Sequence, residues 1–461
     1  MKVFKKFGQE AIDKGGMSAF WIGDVLFVVV VDPEVAEILL KTYLEKGDVM
    51  RFLRTYTGNG SIFAPVSIWR PRRKILLPTF SARNLASFVS IFAQQSSIMV
   101  QRLRRRTRPG PFAFFPYITG YTMDAVCEST FGVKMNVQEN PEHIFHKAFE
   151  EVTEIAANRL VTPWVHNDVI YSITPAYKRG QALKKCWIIY IEERRNCKTH
   201  FDECLKSTVG CYKYGSVKSF LELMMENSDG GCTDLELMEE AFVIISAGTD
   251  TSAAGAAFTA LMLARHQHIQ DKVYEEYQVF GNSDRPVEND DLTNLKYLNA
   301  AIKESLRLYP PVPMVVRHVD KDYTLPSGLT IVKGCTLLFN IWATHRNPRY
   351  WGADAELFRP ERFLEAPLKH PAQFMPFSYG VRNCTGYGYA FKSMMTVLTT
   401  LLRDFRILPP STPGTESCSN KLPSNQKCDE PLKVHFKVMM KDVDNFTLEL
   451  ERRDVDNSTA L

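Results

Sequence analysis

The chain has 461 residues, of which 45% are hydrophobic and 23% charged, an ordinary globular balance with ample apolar material for a large core. A formal net charge of +4 over that length leaves no basic footprint for nucleic acid. None of the ten cysteines forms a CxxC pair, and their spacing matches no zinc ribbon or disulfide framework, so a reducing compartment is the simplest setting.

The opening residues, "MKVFKKFGQEAIDKGG", carry no signal-peptide core and predict a short helix. "VLFVVVV" (Val25 to Val31) is too short to span a bilayer, and its β-branched content ending at Asp32-Pro33 predicts a buried strand, followed by a helix from Pro33. From Ile68 to Leu308 the periodicity is mostly helical. "TDLELMEEAFVIISAGTDTSAAGAAFTALMLARH" opens on a Thr233–Glu236 capping-box pair and predicts a buried helix of about thirty residues. A β-rich stretch follows over 323–342. The helical pattern then resumes after Gly386, with Phe391, Met394, Met395, Leu398, Leu401, Leu402 and Phe405 on one apolar face. The polar stretches 194–218 and 409–431 predict surface loops. The expected fold class is mainly α with minor β: one domain over 1–461, with small β-rich parts near 20–60, 323–342 and 430–452.

Three segments carry chemistry. In "FSYGVRNCTGYGYA" (Phe377 to Ala390), Cys384 precedes a helix, and a helix N-terminus favours the thiolate that binds a metal. Gly380 and Gly386 let that backbone curl against a flat cofactor. In the central helix, Gly248, Thr249, Asp250, Thr251 and Ser252 are poor helix formers in a buried setting. There a threonine hydroxyl can bend the helix and admit water, while close packing through small residues explains the same composition equally well. Glu304 and Arg307 in "KESLRLYPPVP" share a helix face, as surface ion pairs commonly do; Arg362 in "FRPERF" would complete a buried Glu–Arg–Arg network.

The pattern FxxGxRxCxG resembles the haem-ligand signature of the cytochrome P-450 superfamily. "AGTDTS" resembles its oxygen-activation motif, and the ExxR, "FRPERF" and "HRNP" segments resemble its structural network. "WRPRRKILLPTF" resembles its WxxxRK helix. The resemblance covers nearly the whole chain in order. It implies the cytochrome P-450 fold, with a long central helix over a haem and a cysteine-ligand loop.

By that resemblance the cofactor is haem b, bound noncovalently through the Cys384 thiolate. Asp250 and Thr251 would deliver protons, and Trp69, Arg73, Arg317, Phe377, Gly380, Arg382, Gly386 and Ala247 would surround the cofactor. Glu304, Arg307 and Arg362 would be structural. The implied activity is monooxygenation of an apolar small molecule, whether fatty acid, terpenoid or xenobiotic, with dioxygen and electrons from NADPH-cytochrome P-450 reductase; cytochrome b5 is a further candidate donor. Substrate would meet Phe242, Ile245, Ala247, the loop before Trp69, the Trp164 region, Val315 and the "DVDNFTL" turn. Arg70 and Arg72 read as a solvated basic face, whereas Lys74 and the run from Gln101 would offer a proximal surface to an acidic donor.

"GNGSIFAPVSIWRPRRK" and "RLVTPWVHNDVIYSITP" look most like the animal family-four branch, known for fatty-acid ω-hydroxylation. Ala247 stands where that branch often has a haem-esterifying glutamate, and Ser393 replaces another common glutamate. The branch's N-terminal anchor and proline-rich hinge have no counterpart in this sequence, which suggests a truncated or incomplete form. The implied setting is a monomer at the cytosolic face of the endoplasmic reticulum membrane, peripheral or soluble without the anchor. Two rival readings are a haem-thiolate isomerase or dehydratase, which the Asp250–Thr251 pair argues against, and a catalytically silent haem-binding protein.

Overall fold

The computed structural model describes residues 2–47, 51–106, 108, 110–160, 162–196, 233–278, 285–411, 430–436 and 438–453. The expected surface loops at 194–218 and 409–431 lie largely outside them. The protein has the mainly α fold with minor strands expected from the sequence. The chain groups into two compact units. One comprises 1–45, 88–122 and 249–461, the other 46–87 and 123–248.

All the strands among the described residues fall in the first unit. Its largest sheet runs in the order Met17–Ile22, Val25–Val30, Thr336–Phe339, Val315–His318. The expected Val25 strand pairs antiparallel with the first hairpin arm and parallel with Thr336–Phe339, so Val28 to Val31 are buried. Apolar residues on both faces suit a strand covered on both sides. The helix Pro33–Thr42 starts as the sequence dictates: Asp32 accepts from the Glu34 and Val35 amides at 3.0 and 3.1 Å, and Pro33 takes the first helical position. Its Leu39 and Leu40 pack with Val28, Val30, Leu337, Phe339 and Met375 in one core.

The helix Tyr387–Asp404 differs from expectation. Rather than one apolar face, it is buried all round from Ser393 to Leu402. On one side a Cβ at Gly255 of the central helix would stand 2.7 Å from Met394 Sδ, so the two helices approach closely there. On the other, Thr400 meets Ser96 of the helix Ala82–Arg104 at 3.0 Å. The threonines that make the sequence look half-polar bond back along their own helix, Thr396 Oγ1 to the Lys392 carbonyl and Thr400 Oγ1 to that of Thr396, at 2.8 and 2.9 Å.

The second unit is helical. It contains Arg51–Thr57, Val66–Leu76, Ile144–Leu160 and Pro175–Asn196, with part of the helix Phe115–Phe131 and the first half of the central helix. The central helix, Asp234–Arg265, begins on the expected capping box: the Thr233 amide donates to Glu236 at 3.0 Å, and the Glu236 amide donates to Thr233 Oγ1 at 3.3 Å. It is long and apolar enough to cross a membrane, but 67% of its apolar window is buried within the protein, as in a core helix.

Candidate active site

In the first unit, the loop carrying Cys384 is held from two directions. Its backbone closes on itself, the Cys384 amide donating to the Phe377 carbonyl at 2.9 Å and the Asn383 amide to that of Gly380 at 3.1 Å. Gly380 has φ +78°, and a Cβ there would stand 2.9 Å from the Leu40 carbonyl, so only glycine fits this approach. Arg382 Nη1 donates to the Leu44 carbonyl at 2.7 Å and Tyr379 to Glu37 at 3.1 Å, clamping the loop to the helix Pro33–Thr42 and to the segment just past its end. Phe377 packs edge-on to Tyr387 and against Phe391. Cys127 and Cys335 are buried, whereas Cys384 lies exposed just before Gly386, which caps the next helix.

The second hold comes from the acid–arginine network. Glu304 and Arg307 have no exposed surface, and Arg362 is nearly buried. Glu304 Oε1 accepts from Arg307 Nη2, Arg362 Nε and the Arg359 amide at 2.7, 2.8 and 3.0 Å, and Oε2 accepts from Arg307 Nε at 2.6 Å. Arg307 also donates to the carbonyls of His345, Ala355 and Leu357. His345, from "HRNP", carries the link onward: Nδ1 lies 3.1 Å from the Arg307 carbonyl, and Nε2 accepts from the Met375 amide at 2.9 Å. Burial, and then the Arg307 charge, press its pKa down to about 3, so it is neutral with its proton on Nδ1. An unbroken chain of bonds thus runs from Glu304 through Arg307, His345 and Met375 to the cysteine loop. The sequence indicated its ends but not the histidine's part in it.

Arg317, on the strand Val315–His318, is 1% exposed. Among the described residues its Nη1 donates to the neighbouring Val316 carbonyl, at 2.8 Å, and its Nε has no hydrogen-bond partner. Burial and then the like charge of Arg382 lower its pKa to about 10. Two cations sharing a buried space, one with an orphaned donor, suit the carboxylates of an anionic cofactor. Asp250 is 4% exposed and lies 3.7 Å from Nζ of Lys441, which also sits 4.4 Å over the Phe115 ring. Thr251 is half-buried beside it in the chain. Lys441, on the strand Met440–Asp442, is an acid partner that the sequence reading missed.

The "DVDNFTL" turn is a packed corner. Asp442 Oδ2 accepts the amides of Asp444 and Phe446, each at 3.0 Å, and the fully buried Phe446 ring lies 4.8 Å from Phe258 and 5.0 Å from Phe115.

In the second unit, Trp69 is buried and the Arg73 guanidinium lies 5.8 Å from its ring centre. Ala247 and Phe242 are half-buried and Ile245 buried. A Cβ at Gly248 would stand 2.8 Å from a Val126 methyl, so close packing accounts for that glycine. Trp164 is exposed. Arg72 corrects the solvated-face expectation. It is 7% exposed and faces Glu236, Glu239 and Glu240 from the start of the central helix, whereas Arg70 is exposed as expected.

A family model described as Cytochrome P450 matches residues 1–429. The chain is 31% identical over 452 residues to Cytochrome P450 4V2 of Homo sapiens, covering 95% of this chain and 82% of that protein. It is 30% identical over 413 residues to Cytochrome P450 4c21 of Blattella germanica, covering 86% and 81%. With Cytochrome P450 4d2 of Drosophila melanogaster it shares 31% identity over 411 residues, covering 86% and 82%.

Proposed function

The chain belongs to the cytochrome P450 family, and from that premise we propose that Cys384 is the residue through which it holds its haem iron. As a cytochrome P450 monooxygenase it uses a haem with a thiolate ligand, a redox partner and a small-molecule substrate. The observation that carries the Cys384 assignment is the exposed thiol in a loop clamped by Gly380, Arg382 and the Glu304–Arg307–His345–Met375 chain.

The bound haem, of the noncovalent b type, supplies the redox centre for monooxygenation. Arg317 and Arg382 would bind its carboxylates, which would offset the mutual repulsion of the two guanidiniums and give the orphaned Arg317 Nε a partner. Trp69 and Arg73 would be further donors to a cofactor carboxylate. Phe377 and the backbone at Gly380 and Gly386 would shape the surroundings of the Cys384 thiolate, and Ala247 would offer the cofactor an apolar surface. Asp250, buried and paired with Lys441, would take up a proton from solvent and relay it to the Thr251 hydroxyl, which would hold it ready on the substrate side. Glu304, Arg307 and Arg362 hold the ligand loop in place and take no part in the chemistry.

The substrate is an apolar small molecule of the fatty-acid, terpenoid or xenobiotic class, received by Phe242, Ile245 and Ala247. Electrons come from NADPH through cytochrome P450 reductase, with cytochrome b5 as a second donor. The working form is a monomer at the cytosolic surface of the endoplasmic reticulum membrane. Binding spectra against fatty acids, terpenoids and plant allelochemicals, followed by turnover with reductase and NADPH, test this reading. It predicts ligand-induced spectral shifts and an oxygenated product; NADPH-independent rearrangement or no product would contradict it.

A further inference from the structure

We propose that Arg72 is a positioning residue that locks the Gly58–Ser61 turn onto the first two turns of the central helix and so sets which apolar molecules the protein accepts. Its bearing on selectivity rests on the reading above of Phe242 and Ile245 as substrate contacts.

Arg72 lies on the helix Val66–Leu76, and its side chain is 9% exposed. Nη1 donates to the Asn59 carbonyl at 2.6 Å and to Glu240 at 3.0 Å, and Nη2 donates to Glu236 at 3.2 Å. Glu239 stands 3.7 Å away. One guanidinium therefore ties the turn's backbone to carboxylates on successive turns of the helix. A planar fork can do this where a lysine, acting as a point charge, cannot hold all three. The turn adds its own ties: Ser61 hydrogen-bonds the fully buried Glu240, and Arg54 holds Asn59 Oδ1 at 2.9 Å.

The contact is close as well as polar. A Cβ at Gly60 would stand 2.4 Å from a Val243 methyl and 2.7 Å from the Glu239 carbonyl, so the turn's backbone lies directly on the helix. Ile62 and Phe63 follow the turn, and Phe242 and Ile245 follow Glu240 along the same helix. Displacing the turn therefore moves two apolar residues relative to the face that receives the ligand. Burial raises the Glu240 pKa, and the contacts with Ser61 and Arg72 oppose that rise.

The test measures amide exchange over 57–64 and dissociation constants for a series of fatty acids of graded length, on the haem-loaded protein. Arg72→Met paired with Glu240→Gln removes the tie together with the fully buried carboxylate it faces; Gly60→Ala lifts the turn with Arg72 intact. Both should speed exchange in this segment about tenfold or more and change the order in which the acids are preferred, with haem content retained. Unchanged exchange overturns the latch, and faster exchange with an unaltered preference order overturns its bearing on selectivity. A wild-type protein that binds none of the series overturns the reading of the apolar face itself, whatever the exchange shows.

Discussion

Arg307 grips both carboxylate oxygens of Glu304, Nε to Oε2 at 2.6 Å and Nη2 to Oε1 at 2.7 Å, and neither side chain has any exposed surface. A buried pair of this kind stabilises little relative to an apolar core, but removing one partner strands the other charge. Glu304→Gln should therefore cost about 3–5 kcal/mol in chemical unfolding, and holoprotein yield should fall with it. A loss below about 1 kcal/mol would mean that Arg307 and Arg362 find other partners.

Arg317 gives a prediction with opposite signs in two states. In the haem-free protein its buried charge, beside Arg382, works against folding. In the loaded protein its proposed role is to bind a carboxylate. Arg317→Met should raise the melting temperature of the haem-free form and speed haem transfer to an acceptor protein by roughly tenfold or more. Parallel changes in both states would remove the carboxylate-binding role.

Thr251→Ala should keep the haem and its spectrum yet divert reducing equivalents to peroxide, lowering product per NADPH by about tenfold or more. Asp250→Asn should do the same and, in addition, free Lys441 from its partner. Unchanged coupling in both variants would contradict the proton path.

Asp124 supplies a pH test remote from the chemistry. Burial raises its pKa from 3.8 to about 6, against the amides of Gln138 and Val137 that hydrogen-bond its carboxylate. A folded-state pKa above the unfolded one gives stability that is full below about pH 4 and is lost as pH rises through about 6, by about 3 kcal/mol. Asp124→Asn should flatten that component between those values. Unfolding profiles of the two proteins that run parallel across the window would show that Asp124 does not titrate as assigned.

What the sequence disclosed was local. The Asp32-Pro33 helix start, the Thr233–Glu236 box and the strand at Val25 are written in neighbouring residues, and they form as read. The tight turn before Cys384 was legible because its glycine is a backbone requirement, visible at Gly380. Arg72 was misread because its own neighbours are basic, while the acids that bury it lie more than 160 positions away. Lys441 was missed for the same reason, and the bonds that His345 makes within the network were not legible either. Their meaning depends on which carbonyl, amide or carboxylate the fold brings to them. The all-round burial of Tyr387–Asp404 was hidden by threonines whose hydroxyls are satisfied within the helix.

The ferrous carbon-monoxide spectrum of wild type against Cys384→Ser tests the central claim most directly. Thiolate ligation by Cys384 predicts a red-shifted Soret band in the wild-type protein and its loss in the variant, with Cys127→Ala and Cys335→Ala unaffected. A variant that keeps the band would contradict Cys384 as the thiolate ligand.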